Sequence, residues 1–291
     1  MDDYPIYEPP TLDIPKFTCL AKVDIPTMEK LIKKSKPTTC ELDPLPSSLV
    51  KLHADLFAPV LCKITNISFD TGEFPWQWKH AIVKPLLKKP TLAHIKQNYR
   101  PVSNLSFLSK LVEKASLLSF QEHMDTYDLL PIYQSAYRSN HSTETLLIKV
   151  CNDILHNMEQ QQLTPLIAID LSAAFDTVNH QLLLNTMEKC FGVCDKANDW
   201  MRSYLSDRKF YVHINNCKSK EINVDFSVPQ GSINGPVYFT CYSSTLRYCR
   251  GEDNELAGYA DDHSLYTSYA AGDDTAERTT IAGLSTTLDQ I

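Results

Sequence analysis

Two carboxylates stand side by side at Asp261 and Asp262, between the short apolar runs Leu256-Ala257-Gly258-Tyr259-Ala260 and His263-Ser264-Leu265-Tyr266. A third, Asp170, ends the apolar run Leu163-Thr164-Pro165-Leu166-Ile167-Ala168-Ile169. Like charges gathered in one site raise each other's pKa, so three aspartates at strand ends are costly to hold together unless a cation joins them. Hard oxygen ligands of this kind suit magnesium or manganese. The charge pattern supplies a counterpart. Lys79, Lys84, Lys88, Lys89, Lys96, Arg100, Lys110 and Lys114 stand against Glu113 alone, whereas Glu252, Asp253, Glu255, Asp261, Asp262, Asp273, Asp274 and Glu277 have no base among them. A basic segment facing a carboxylate cluster suits phosphoryl transfer to a polyanion, although a basic segment taken alone also reads as a solvated face. The net charge of −7 averages over this asymmetry.

The elements that must position these groups follow from periodicity. Leu256 to Tyr266 reads as a hairpin with Asp261 and Asp262 at its tip, and the run ending at Asp170 reads as a buried central strand. Residues 1–22 are Pro-rich and aperiodic, the pattern of a linker. Ile25 to Lys34 reads as a helix capped by Asp24. Ser48 to Phe69 carries Leu49, Leu52, Leu56, Val60, Ile64 and Ile67 at spacings of three and four, an amphipathic helix with Pro59 as a kink or boundary and Gly72 as its end. Ala81 to Leu87 reads as an edge strand, because Pro85 cannot donate to a ladder. Helices are expected over Leu105–His123, Ser142–Met158, Val178–Phe191 and Asn198–Leu205, and strands over Phe210–Ile214 and Ile222–Phe226. Asp176 reads as a helix cap, and the small residues Ser172, Ala173 and Ala174 permit close approach of the backbone to a ligand.

At 291 residues, 43% hydrophobic and 22% charged, the chain is long enough for two packed lobes. It has no run of eighteen apolar residues, and Asp2 and Asp3 stand where a secretory signal would carry lysines. The expectation is a soluble intracellular protein, nuclear or cytoplasmic, with no membrane partner. Nine cysteines form no CxxC pair, and reduced, mostly buried thiols are a better reading than a zinc site at Cys190 and Cys194.

Tyr259-Ala260-Asp261-Asp262, the segment Asp170 to Asp176, and Val228-Pro229-Gln230-Gly231-Ser232 resemble three successive palm motifs of reverse transcriptases, in that family's order and rough spacing. Asn98 to Ser103 and Gln134 to Thr143 are similar to the non-LTR, LINE-type enzymes. The resemblance runs from about Lys36 to about Tyr269. It implies an α+β right-hand polymerase fold: a linker over 1–22, a helical N-terminal extension over 23–75, fingers over 76–160, and over 161–291 a palm with an antiparallel sheet. Asp273 to Ile291 reads as one palm helix capped near Asp274, so the thumb is expected to be absent and the chain alone at most distributive.

The activity implied is RNA-directed DNA polymerisation, extending a DNA primer on an RNA template with deoxynucleoside triphosphates. Asp170, Asp261 and Asp262 would hold two Mg²⁺ or Mn²⁺ ions, and Arg100 with Lys88 or Lys89 would grip the incoming triphosphate. Arg138 would contact template or triphosphate. Phe175 would stand against the nucleotide sugar and reject a 2′-hydroxyl, while Gln230 and Gly231 would line the nucleotide. Asn234 departs from the family, which has an aliphatic residue there, and a polar group at a packed helix start is expected to loosen the nucleotide pocket. A decayed binding module with the same fold is the alternative. A metal nuclease fits less well, since no His or Glu near the motifs is suited to activate water, and Phe175 and Gln230 go unexplained.

Overall fold

A computed structural model describes residues 8–171, 174–215, 217–251 and 254–289. Ser172, Ala173, Glu252 and Asp253, named above, lie outside the described residues, as do 1–7, 216, 290 and 291. In chain order the elements are α1 (Ile25–Lys34), α2 (Ser47–Leu52), α3 (Ala54–Thr71), β1 (His80–Leu87), β2 (Tyr99–Asn104), α4 (Phe107–Thr126), α5 (Thr143–Glu159), β3 (Gln162–Leu163) and β4 (Leu166–Asp170). There follow α6 (His180–Phe191), α7 (Asp195–Leu205), β5 (Lys209–Ile214), β6 (Cys217–Lys218), β7 (Ile222–Asn223), α8 (Asn234–Ser243), α9 (Leu246–Cys249), β8 (Glu255–Tyr259), β9 (Asp262–Tyr266), β10 (Tyr269–Ala270) and α10 (Asp274–Leu288). This is a mixed α and β chain in two compact units, one of residues 1–129 and 175–238, the other of 130–174 and 239–291. The units interleave along the chain. No helix among the described residues is long and apolar enough to cross a membrane.

In the first unit, β2, β1, β5 and β6 lie in that order, with β7 also on β5. β1 runs antiparallel to β2 and parallel to β5. It is therefore not the edge strand expected from Pro85. The proline is tolerated because β5 covers only His80 to Val83, leaving one side of Pro85 without a ladder. An aromatic stack holds the helices: Phe74 meets Trp200 and Tyr204 edge-on at 5.5 and 5.1 Å, and Trp200 stacks on Tyr204 at 5.8 Å.

Two further expectations fail among the helices and the N-terminal stretch of this unit. The apolar stripe of α2 and α3 is its outward face, with Leu52 75% and Leu56 67% exposed, while Ala54, Ala58, Leu61, Thr65, Ser68 and Phe69 face inward. Small residues let α3 approach α1 and α7 closely, so the packing contact runs along the face with less bulk. The stretch read as a linker is tied down from Leu12 onward. Phe17 is buried, its N–H donates to the Gly192 carbonyl at 2.8 Å, and its carbonyl accepts from Cys194 at 3.0 Å.

The second unit is built on an antiparallel sheet ordered β4, β9, β8. Leu256, Leu265, Tyr133 and Leu284 of α10 form the core on one face, with Ile167 and Ile169 packed against it. Val150 of α5 with Ala257 and Tyr266 form a smaller cluster on the other. Asp273 caps α10 by accepting from Thr275 and Ala276. The strand ending at Asp170 is at the sheet edge and not at its centre, and Leu166, Ala168 and Asp170 alternate outward. The described cysteines are free thiols, and Cys19, Cys151 and Cys217 are exposed, so fewer are buried than expected.

Candidate active site

The register of the small sheet brings the carboxylates to one end of it. Asp170 on β4 lies directly opposite Asp262, the first residue of β9, and Asp262 in turn faces Tyr259 at the end of β8. Residues directly opposite in neighbouring strands share a face, so Asp170 and Asp262 project from the same side. Asp261 sits in the two-residue turn between the strands. The other residue of that turn, Ala260, has φ of 58°, the left-handed region where glycine or asparagine is the ordinary choice.

The ground beneath the turn is buried. His263 packs against Gly258, where a Cβ would lie 2.9 Å from the imidazole Cδ2, so only glycine fits opposite the ring. Burial pushes the His263 pKa down, and its Nδ1 lies 3.1 Å from the Asp261 carbonyl oxygen, a contact that requires the proton on Nδ1. Tyr133 to Ser135 runs parallel to β8 and bonds to it at both ends: Gly258 N–H donates to the Tyr133 carbonyl and Ser135 N–H to the Gly258 carbonyl, each at 2.9 Å. Tyr137 follows with φ of 57°. Burial, then the nearby Asp261 and Tyr259, push its phenol pKa up. Arg138 is half-buried, with a guanidinium N–H donating to the Pro131 carbonyl at 3.4 Å.

Among the described residues no group of three or more His, Cys, Asp or Glu side chains is arranged to hold a metal ion. The donor set nevertheless fits a divalent cation. Two carboxylates directly opposite across a ladder repel one another, and a hard ion with oxygen preference is the partner that relieves this.

The residues expected to meet the nucleotide belong, except Arg138, to the first unit. Lys88, Lys89 and Arg100 are exposed at the open end of the β1–β2 hairpin, where Leu86 pairs with Arg100 and the Lys88 N–H donates to the Asn98 carbonyl at 2.8 Å. The other nucleotide residues come together at the far end of β2. Val228 N–H donates to the Phe175 carbonyl at 3.0 Å, and Ser103 N–H to the Gln230 carbonyl at 2.9 Å. Gly231, at φ of 109°, passes so close to Ser103 that a Cβ would lie 2.7 Å from its carbonyl oxygen. Gln230, Ser103, Asp176 and Arg208 line a cavity of about 400 Å³.

Asp176 is not the helix cap expected from its position. Asn179 caps α6 by accepting from Leu182, and Asp176 accepts from Gln230 at 3.2 Å while burial pushes its pKa up. The polar group expected to loosen the start of α8, Asn234, is satisfied only in part: its Oδ1 is buried without a hydrogen-bond partner among the described residues. The residue is buried and donates from its backbone to Glu113 at 3.3 Å and from its amide to Ser116 at 3.2 Å. Glu113, 0% exposed, also accepts from Ile233 N–H at 2.7 Å, Tyr204 at 3.2 Å and Ser109 at 3.0 Å. A carboxylate at the N-terminus of α8 is favoured by the helix dipole. The sequence signal for this role was available: Glu113 is the only acid in the basic segment and falls in phase with the buried positions of α4.

Residues 87–280 match the sequence family described as reverse transcriptase (RNA-dependent DNA polymerase). The chain is 32% identical over 214 residues to the probable RNA-directed DNA polymerase from transposon BS of Drosophila melanogaster, covering 72% of this chain and 23% of that protein. It is 29% identical over 231 residues to the RNA-directed DNA polymerase from mobile element jockey of the same species, covering 77% of this chain and 25% of that one. A transposon TX1 protein of Xenopus laevis is 29% identical over 157 residues, half of this chain and 11% of its own length. The chain thus spans about a quarter of the length of the two Drosophila proteins.

Proposed function

Because this chain belongs to the reverse transcriptase (RNA-dependent DNA polymerase) family, we propose that it is the fingers and palm portion of an RNA-directed DNA polymerase that extends a DNA primer on an RNA template. The observation that carries this reading is the register that sets Asp170 opposite Asp262, with Asp261 in the adjoining turn between β8 and β9. The non-LTR, LINE-type character of the motifs agrees with relatives named for transposons and mobile elements.

Asp170 and Asp261, with Asp262 beside them, would hold two divalent ions, Mg²⁺ or Mn²⁺. Such ions, when bound, acidify a primer 3′-hydroxyl and neutralise charge on departing pyrophosphate. The carboxylates would keep such ions in place while the phosphate charge changes. Arg100, with Lys88 or Lys89, grips the triphosphate tail, Arg offering a planar fork and Lys a mobile point charge. Gly231 leaves room for the nucleotide to approach the backbone, and Gln230 offers its amide. Phe175 excludes ribonucleotides by occupying the space a 2′-hydroxyl needs. Arg138 serves this reading less directly, since its guanidinium is engaged with Pro131.

The test is incorporation of one deoxynucleotide on a primed RNA template with Mg²⁺. Extension by the parent chain that is lost in Asp261→Asn supports polymerase activity. An Asp261→Asn chain as active as the parent refutes the site. A chain that binds primer and template yet incorporates nothing is the decayed binding module.

A further inference from the structure

We infer that Gln134 is the positioning residue of the carboxylate hairpin, its side-chain amide fixing the Ala260 peptide and with it the direction in which Asp261 is presented. This rests on the proposed function for its consequence, and on hydrogen bonds alone for its geometry.

Gln134 is 1% exposed. Its Oε1 accepts from the Ala260 N–H at 3.0 Å, and its Nε2 donates to the Ala260 carbonyl at 3.3 Å. Oε1 also accepts from the Ala136 N–H at 3.0 Å, which orients the amide from its own segment. Both backbone polar groups of the left-handed turn residue are therefore held by one side chain. Alanine has no intrinsic liking for that conformation, so the turn depends on what grips it.

A carboxamide on a two-carbon stem is the group that suits this place. Glutamate keeps the acceptor, loses the donor and buries a charge; methionine keeps the shape and loses both bonds; asparagine is one methylene short. The segment carrying Gln134 is itself secured, through the backbone bonds at Gly258 and through the Tyr133 hydroxyl, which donates to the Ser243 carbonyl at 3.0 Å. Asp170 and Asp262 lie in the ladder and keep their places without Gln134. Asp261, in the turn, does not.

The experiment compares the parent chain with Gln134→Met and Gln134→Glu. Amide hydrogen exchange at Ala260 in the absence of metal reads the clamp, and Mn²⁺ affinity and single-nucleotide kinetics read its consequence. In Gln134→Met, exchange at Ala260 is expected to rise at least about tenfold relative to neighbouring ladder amides, and Mn²⁺ to bind several-fold more weakly. The rate constant kcat should fall about tenfold or more, with KM for the deoxynucleotide changed less than about twofold, since a misplaced ligand weakens the transition state and not ground-state binding. If the parent incorporates nothing, the proposed function has failed while exchange and Mn²⁺ affinity still decide the clamp. Should Gln134→Met not fold, Gln134→Glu carries the same readings. Unchanged Ala260 exchange, or faster exchange with Mn²⁺ affinity unchanged, overturns the inference.

Discussion

Two hairpins carry most of the charged residues proposed to act, and they are built in opposite ways. The carboxylate hairpin of β8 and β9 turns in two residues, is backed by Leu256 and Leu265 in a core, and has its turn peptide gripped by Gln134. The basic hairpin of β1 and β2 opens into a loop from Lys88 to Asn98, and among the described residues the Lys88, Lys89 and Arg100 side chains make no hydrogen bond or ion pair. The difference follows from the tasks proposed for them. Oxygen ligands of a metal must stand within tenths of an ångström of their places, so their backbone is over-determined. Charges that meet a long, flexible polyanion need reach, and an exposed lysine supplies it without a fixed geometry.

The largest effect expected from this contrast is at Asp170. Asp170→Asn should reduce nucleotide incorporation by about a thousandfold or more while shifting stability by less than about 1 kcal/mol, because it removes a ligand and also a cross-strand repulsion. Urea denaturation beside primer extension reads both. A large loss of stability would show that the carboxylate has a structural role and break the comparison.

The first unit has its own rigid point, at the Ile233–Asn234 entry to α8, and Glu113 tests it. Glu113→Ala leaves donors from Tyr204, Ile233, Asn234 and Ser109 without their acceptor, at a cost of about 3 kcal/mol in urea. A loss under about 1 kcal/mol would mean the region is as loosely held as the basic loop. Next in size, Phe175→Val should lower discrimination between deoxy- and ribonucleotides about tenfold, measured by competition of dGTP with GTP. Unchanged discrimination would reduce Phe175 to packing. The smallest effect belongs to the loop: Lys88→Ala with Lys89→Ala should weaken primer–template and nucleotide binding a few-fold and lower the salt slope by about one or two. A hundredfold loss would show that these lysines, too, are held in fixed geometry.

The same contrast explains what could be read from sequence. The placement of Asp170, Asp261 and Asp262 at strand ends was legible because short apolar runs bounded by polar residues fix a strand's ends, and the candidate site sits at those ends. The faces of helices were less so. Leu52, Leu56 and Val60 form the more hydrophobic stripe, yet close packing selected Ala54, Ala58 and Thr65, and periodicity reports bulk and not closeness of approach. The run before Asp170 is apolar on both faces, which hides that β4 is an edge. Pro85 signalled a missing ladder bond correctly but not that β5 stops at Val83. Roles made by side chains that reach across the fold left the faintest trace. Asp176 bonds Gln230 instead of capping α6, Glu113 serves α8, and Gln134 holds Ala260, each partner more than fifty residues away in sequence.

The central claim is that the three aspartates form a cation site at one end of a fixed three-stranded sheet. Titration of Mn²⁺ into the chain with bound primer, template and deoxynucleotide, followed by water-proton relaxation, tests it most directly. The account predicts saturable binding in the parent that Asp170→Asn and Asp261→Asn each weaken by tenfold or more, about 1.4 kcal/mol, with both variants still folded. Equal Mn²⁺ affinity in the parent and in both variants would contradict it.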